Sequence, residues 1–223
     1  MPSHELARRI RLALIDAADP ALAPAQQSYM KSAMPFHGVR VPIVRRLVST
    51  QTKGVTDPTL LRDAALLLWR DATHREERYA ATALTALRPL RARLDMLPVH
   101  EEMIRTGAWW DHVDEIAHRL AETLDAHPGE MTPLLRGWSR DDDMWIRRAS
   151  IISQLGRRGA TDRDLLTVVI DANAAEREFF IRKAIGWALR ELARIDPGWV
   201  RTFVDARDLS PLSRREALKH LGS

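Results

Sequence analysis

Apolar residues recur along this chain with a helical period. Leu6, Ile10, Ala13, Leu14 and Ala17 fall on one face at about 100° per residue, which predicts a first amphipathic helix ending near Pro20. A shorter helix runs to about Met30. Met34-Pro35-Phe36-His37-Gly38-Val39-Arg40-Val41-Pro42 then reads as a loop from its prolines and glycine, with Pro42 in the first turn of a helix that carries Arg45 and Arg46. Asp57-Pro58 opens a helix with Leu61, Ala64, Ala65 and Leu68 on one face. Thr73 followed by Glu76 predicts a capping box for a helix bearing Ala80, Ala83, Leu84 and Leu87. Further helices are expected at about 91–105, 109–125, 129–139, 142–157, 162–172, 178–194, 197–206 and 211–222. No segment alternates with a strand's period.

The fold class expected is therefore all-α: one domain over 1–223, built of stacked helical pairs with short connections. A four-helix bundle fits less well, because there are too many helices. The pairs repeat. Trp110, Arg148 and Trp187 each flank an apolar stripe: Val113-Ile116-Ala117-Leu120-Leu124, Trp145-Ala149-Ile152 and Ile181-Ala184-Ile185-Ala188-Leu192. The first two lie 38 residues apart and the last two 39. HEAT-type repeats have a period of about 40 residues. Equivalent flanks of stacked repeats would line one surface, so Trp110, Asp114, Arg148 and Trp187 are expected to share a groove. Asp114 lies one turn beyond Trp110. Trp109 is expected inside the apolar stripe, and Asp111 and Glu115 are expected towards water.

Composition narrows the chemistry. The chain has 223 residues, 45% hydrophobic and 29% charged, as in ordinary globular proteins, and no apolar run approaches a membrane span. The N-terminus lacks the pattern of a signal peptide. With no cysteine, disulfides, thiolate catalysis and Cys-based zinc sites are excluded, and a cytoplasmic setting is expected. A net charge of +4 and a pI near 9.9 favour a polyanionic partner.

The charge is also placed. Lys183, Arg190 and Arg194 share a face with Trp187, and Arg214, Arg215 and Lys219 make a basic end on the last helix, for which Ser213 and Glu216 form an expected capping box. Cations beside an aromatic suit nucleic acid; a tryptophan closing a helix seam while the cations sit in water is the simpler alternative. Arg148 can clamp a phosphate with its planar fork or pair with a carboxylate. Asp114 can stabilise a developing cation or hold a water, or serve as an inter-repeat salt bridge. Asp141-Asp142-Asp143 is read as helix capping rather than a metal cluster. Asp114 and His118 have ligand spacing but lack a third ligand, so no metal is expected.

The ordered set Tyr29-Met30-Lys31, Phe36-His37-Gly38-Val39-Arg40-Val41-Pro42, Trp109-Trp110-Asp111-His112-Val113-Asp114, Trp145-Ile146-Arg147-Arg148-Ala149, Phe179-Phe180-Ile181-Arg182-Lys183-Ala184-Ile185-Gly186-Trp187 and Pro211-Leu212-Ser213-Arg214-Arg215-Glu216 resembles the bacterial alkylpurine DNA glycosylases of the AlkD type. The resemblance spans nearly the whole chain. It implies stacked HEAT-like pairs curving around duplex DNA, a monomer, and hydrolytic excision of N3- and N7-alkylated purines such as 3-methyladenine and 7-methylguanine without a cofactor. It places the catalytic carboxylate on Asp114, the active-site tryptophans on Trp110 and Trp187, and the active-site arginine on Arg148, with the lesion left in or near the base stack rather than flipped into a pocket. His37 and Arg147 depart from the family pattern beside these positions. Some relatives are thought to bind DNA without excising bases, so a non-catalytic helical-repeat scaffold for DNA or protein is the competing reading.

Overall fold

The computed structural model describes residues 1–221 and is all-α: among them are thirteen α-helices, three short 3-10 turns and no strand. None of these helices is long and apolar enough to cross a membrane. Contacts divide the chain into two compact units, residues 1–91 and residues 92 onward.

The first unit contains α1 (Ser3–Asp16), α2 (Ala23–Met30), α3 (Val41–Gln51), α4 (Pro58–Arg70) and α5 (Arg75–Thr85). α1 packs on α3 and α4, and α5 packs on both of these. The apolar stripes supply the core: Leu6, Ile10, Leu14, Val44, Val48, Leu61, Ala64, Ala65, Leu68, Ala80 and Leu84 are all buried, together with Trp69. Asp57 starts α4 by accepting the Thr59 and Leu60 N–H groups, with Pro58 in the first turn, where its missing N–H costs nothing.

The start of α5 differs from the capping box expected of Thr73 and Glu76. The N-cap is His74, and the reaching carboxylate is Glu77, whose Oε1 accepts from the His74 and Thr73 N–H groups and from the Thr73 hydroxyl. The chain turns one residue later than the Thr–Glu spacing suggests, which frees Glu76 for another task. Glu76 is fully buried and accepts the backbone N–H groups of His37, Gly38 and Val39 at 2.9, 2.9 and 3.0 Å. It thereby fixes the proline-rich loop, whose N–H groups have no helix to satisfy them. Gly38 is required there: its φ is +88°, and a Cβ would lie 1.9 Å from the Asp19 carbonyl oxygen.

The second unit holds α6 (Leu97–Gly107), α7 (Trp110–Ala126), α8 (Pro128–Trp138), α9 (Met144–Ile152), α10 (Arg163–Asp171), α11 (Phe179–Ala193), α12 (Pro197–Asp205) and α13 (Pro211–Leu218). Consecutive helices pair, as α6 with α7, α8 with α9 and α11 with α12, while α9 packs against both α7 and α11. The three helices carrying Asp114, Arg148 and Trp187 thus form a row, which is the physical content of the 38- and 39-residue spacing. All the stripe residues of α7, α9 and α11 are buried.

Several boundaries shift from the expected ones. The helix expected from 91 begins only at Leu97, because Ala92 takes a left-handed φ of 54° and Leu94–Met96 forms a 3-10 turn. α9 stops at Ile152 rather than near 157. The Ser150 and Ser153 hydroxyls donate to the carbonyls three residues back, tightening the last turn, and Gly156 follows with a φ of 86°. The N-cap of α13 is Ser210, which accepts the Ser213 N–H. Ser213 itself is buried and donates to the Arg182 carbonyl, so the Ser213–Glu216 capping box is not formed. α13 ends at Leu218; the expected continuation to 222 reaches Gly222, outside the described residues. α13 docks on α11 where Gly186 leaves room: a Cβ there would lie 2.5 Å from Glu216 Cβ and 2.9 Å from the Ser213 carbonyl oxygen.

Candidate active site

α6 ends at Gly107, Ala108 turns left-handed at φ 42°, and Trp109 becomes the extended N-cap of α7. Trp109 is therefore not a stripe residue of the helix. It is half-buried at the helix mouth, with its ring 5.4 Å from Phe180 and 6.0 Å from Trp145. Phe180 lies 5.0 Å from Trp145 and 5.4 Å from Phe179, so four aromatic side chains from α7, α9 and α11 meet at one end of the row. Such contacts contribute about 0.5–1.5 kcal/mol each beyond area burial and fix the relative positions of the helix starts.

Beside this cluster stands the Asp114–Arg148 pair. Arg148 Nε donates to Asp114 Oδ1 at 2.8 Å and Nη2 to Oδ2 at 2.9 Å. The remaining nitrogen, Nη1, donates to the Phe180 carbonyl oxygen at 2.6 Å. One guanidinium thus ties α7, α9 and α11 together. Its side chain is 5% exposed and Asp114 is 16% exposed, so Arg148 is the buried support and the carboxylate is the group with residual access. Such burial leaves Arg148 in no position to clamp a phosphate from solvent. Each carboxylate oxygen accepts one N–H from the fork and keeps a lone pair for another donor.

Burial pushes the Asp114 carboxyl above its ordinary value. The Arg148 hydrogen bonds and charge oppose that rise, Asp111 adds to it, and His118 opposes it weakly. Asp111 therefore does not stand apart in water as expected. It is half-buried and accepts the His112 N–H. Glu115 is also half-buried and pairs with Arg119 at 3.2 Å.

Trp110 and Trp187 are both half-buried. Trp110 precedes Asp114 by one turn on the same face of α7, and Trp187 follows Phe180 by two turns on the same face of α11. Of the six basic residues singled out from sequence, four have carboxylate partners. Lys183 pairs with Glu216 at 3.0 Å, and Arg190 pairs with the other oxygen of the same carboxylate. Arg194 pairs with Glu191 at 3.3 Å while remaining 60% exposed, and Arg214 pairs with Asp205 at 2.5 Å. Arg215 and Lys219 are exposed. Glu216 escaped sequence reasoning because its position three residues after Ser213 imitates a cap. The Phe180 carbonyl carries no sequence signal at all.

The aspartate triplet divides its work. Asp143 caps α9 by accepting the Trp145 N–H, whereas Asp141 binds Arg105 with two hydrogen bonds, at 2.7 and 3.0 Å. In the first unit, His37, His74 and Glu77 bring one ligand-type atom each within 4.8 Å of one another. The two imidazoles stack at 3.8 Å with 12° between their planes, so their lone pairs run side by side rather than converging. Glu77 is engaged on both oxygens, by the start of α5 and by Arg11 at 2.7 Å. His74 and Glu77 serve the start of α5, and His37 stacks on His74.

The sequence profile of the family described as DNA alkylation repair enzyme matches residues 10–221. No curated protein sequence matches the chain. Among solved structures, a predicted DNA alkylation repair enzyme from Enterococcus faecalis superposes with a TM-score of 0.80 at 27% identity, covering 92% of this chain and 97% of that one. The smu.31 protein of Streptococcus mutans UA159 shares the fold, with a TM-score of 0.63 at 17% identity over 79% of this chain and 90% of that one. With the match running through all the helices just described, the chain belongs to the DNA alkylation repair enzyme family.

Proposed function

We propose that the protein is a DNA glycosylase that hydrolyses the N-glycosidic bond of N3- and N7-alkylated purines in duplex DNA, acting as a monomeric, single functional domain. The observation that carries this reading is the Asp114–Arg148 pair: a carboxylate with residual access, aimed from behind by a buried guanidinium that is itself fixed on the Phe180 carbonyl.

The chemistry suits such a group. Alkylation at N3 or N7 makes the purine cationic, so the base leaves without being protonated. As the bond between C1′ and the base nitrogen breaks, its electron pair neutralises the purine and positive charge develops on the sugar. Asp114 stabilises that charge and orients a water, which attacks C1′ and loses its proton to the carboxylate or to solvent. A preorganised carboxylate needs no reorganisation at the moment of reaction. Trp110 and Trp187 offer indole faces to the cationic lesion or its polarised sugar. Arg194, Arg215 and Lys219 hold phosphates, with Arg214, Lys183 and Arg190 joining them to the extent that their carboxylate partners release them.

The pairing of Asp114 also favours a second reading, in which the ion pair is purely a bridge between helices and the same face binds DNA without chemistry. Incubation with duplex containing 7-methylguanine or 3-methyladenine, followed by chromatography of free base, separates the two. Release above the spontaneous rate supports the glycosylase, and bound duplex without release supports the scaffold.

A further inference from the structure

On α11, Lys183, Trp187 and Arg190 share one face, with Trp187 between the two cations in register. Lys183 and Arg190 are two turns apart, yet both reach the same carboxylate. Glu216 Oε1 accepts from Lys183 Nζ at 3.0 Å and Oε2 from Arg190 Nη1. Glu216 is 14% exposed, Arg190 19% and Lys183 38%, so the three groups lie at the surface rather than in the core. The carboxylate is held at this place by the backbone. α13 comes so close to α11 at Gly186 that any larger residue there would strike Glu216 Cβ. The Lys183 and Arg190 hydrogen bonds and charges outweigh the opposing effect of burial and hold the carboxyl below its ordinary value, and so it stays charged in any neutral buffer.

A carboxylate that accepts from one arginine and one lysine at a surface occupies the place a phosphate diester would take. We infer that Glu216 is a specificity-determining residue that withholds Lys183 and Arg190 from undamaged DNA, standing in for a backbone phosphate beside Trp187. The inference rests on the glycosylase reading, and it adds a device that reading does not contain. Non-specific affinity for duplex is almost wholly electrostatic. Two cations neutralised internally contribute nothing to it, and the carboxylate repels any phosphate that approaches. Contacts through Trp187 keep their full weight, so the ratio of lesion binding to bulk binding rises.

The test is duplex affinity as a function of salt for the wild type, Glu216→Gln, Lys183→Gln and the double variant, on undamaged DNA. Each phosphate newly contacted steepens the log–log slope by about 0.9, which makes the affinity advantage of Glu216→Gln shrink about 3-fold per contact between 50 and 200 mM salt. The expected result is tighter binding by Glu216→Gln with a slope steeper by about one to two contacts, and stronger inhibition of base release by undamaged competitor. Lys183→Gln should leave the wild-type slope nearly unchanged and lower the Glu216→Gln slope by about 0.9. An unchanged or shallower slope in folded Glu216→Gln overturns the inference while leaving the glycosylase reading intact. Should Glu216→Gln fold poorly, Lys183→Gln alone decides: a loss of about 0.9 in the wild-type background shows that Lys183 already contacts phosphate, and the inference falls. A wild-type protein with no salt-dependent duplex binding overturns the DNA reading itself.

Discussion

Replacing either partner of the Asp114–Arg148 pair perturbs the same contact in opposite electrostatic senses, and the difference is measurable. Asp114→Asn preserves shape and one acceptor oxygen. It leaves the Arg148 charge, 5% exposed, with a neutral amide and the Phe180 carbonyl. Breaking a buried pair by removing one partner costs about 3–5 kcal/mol, and the retained acceptor brings this to roughly 2–3 kcal/mol. Arg148→Met leaves instead a largely buried carboxylate, which can relieve its strain by taking a proton. With an unfolded pKa near 3.9, the electrostatic penalty at pH 7 cannot exceed about 4 kcal/mol, and at pH 5 about 1.5 kcal/mol. The sign follows. A carboxyl raised in the folded state binds more protons than in the unfolded state, so its penalty is absent below the unfolded pKa and grows as pH rises through the window up to the folded value. Arg148→Met should therefore lie closer to the wild type in stability at pH 5 than at pH 7, whereas Asp114→Asn carries no such carboxyl.

The rates separate the catalytic role from the structural one. Asp114→Asn should slow excision by about 10²–10³-fold at every pH, the scale for losing one preorganised electrostatic group. Arg148→Met keeps the carboxylate but removes the hydrogen bonds and charge that oppose its rise, so activity should survive at high pH with the acid limb of the profile moved to higher pH. The assay is single-turnover release of 7-methylguanine from duplex between pH 5 and 9, corrected for spontaneous depurination, with each variant shown to be folded at the assay temperature. Equal rates for the wild type and Asp114→Asn would remove Asp114 from the mechanism. An Arg148→Met profile parallel to the wild type would show that the guanidinium does not govern the ionisation of Asp114.

Three further outcomes are expected. Asp111→Asn, by removing a charge that raises the Asp114 carboxyl, should move the acid limb to lower pH and leave the plateau rate unchanged; a plateau loss of tenfold or more would assign Asp111 a direct role. His100 is 2% exposed, and burial pushes its pKa down to about 3, with the Arg119 charge assisting. Its unfolded form takes up protons first, so stability falls as pH drops below about 6.5, and His100→Leu should gain roughly 2 kcal/mol more over the wild type at pH 5 than at pH 7 in urea denaturation; a pH-independent difference would contradict the assignment. Glu76→Gln turns an acceptor oxygen towards amides into a donor, and should cost about 2–3 kcal/mol by urea denaturation, against about 1 kcal/mol for an ordinary helix cap.

What the sequence made legible and what it hid follow from the range of the forces involved. The stripes of α7, α9 and α11 are periodic in i+3 and i+4, and burial follows that period directly, so Leu120, Ala149 and Ile185 could be placed without a structure. The common spacing of Trp110, Arg148 and Trp187 is also a local pattern repeated, and it predicts neighbouring helices because repeats stack on their neighbours. Caps were ambiguous for the opposite reason. Thr73–Glu76 and Ser213–Glu216 have the spacing of a capping box, but a carboxylate goes where the most donors await it. For Glu76 those donors are three loop amides nearly forty residues upstream, and for Glu216 they are the cations of another helix. The same competition decides the candidate site. Asp114 was identifiable as a half-exposed acid, but its pairing with Arg148 depends on a backbone carbonyl, that of Phe180, which every residue possesses and no sequence pattern marks. On the proposed glycosylase reading, the chemistry rests on a carboxylate held in place by a buried arginine. Its activity should then respond to changes at Phe180 that displace that carbonyl without altering any side chain facing DNA.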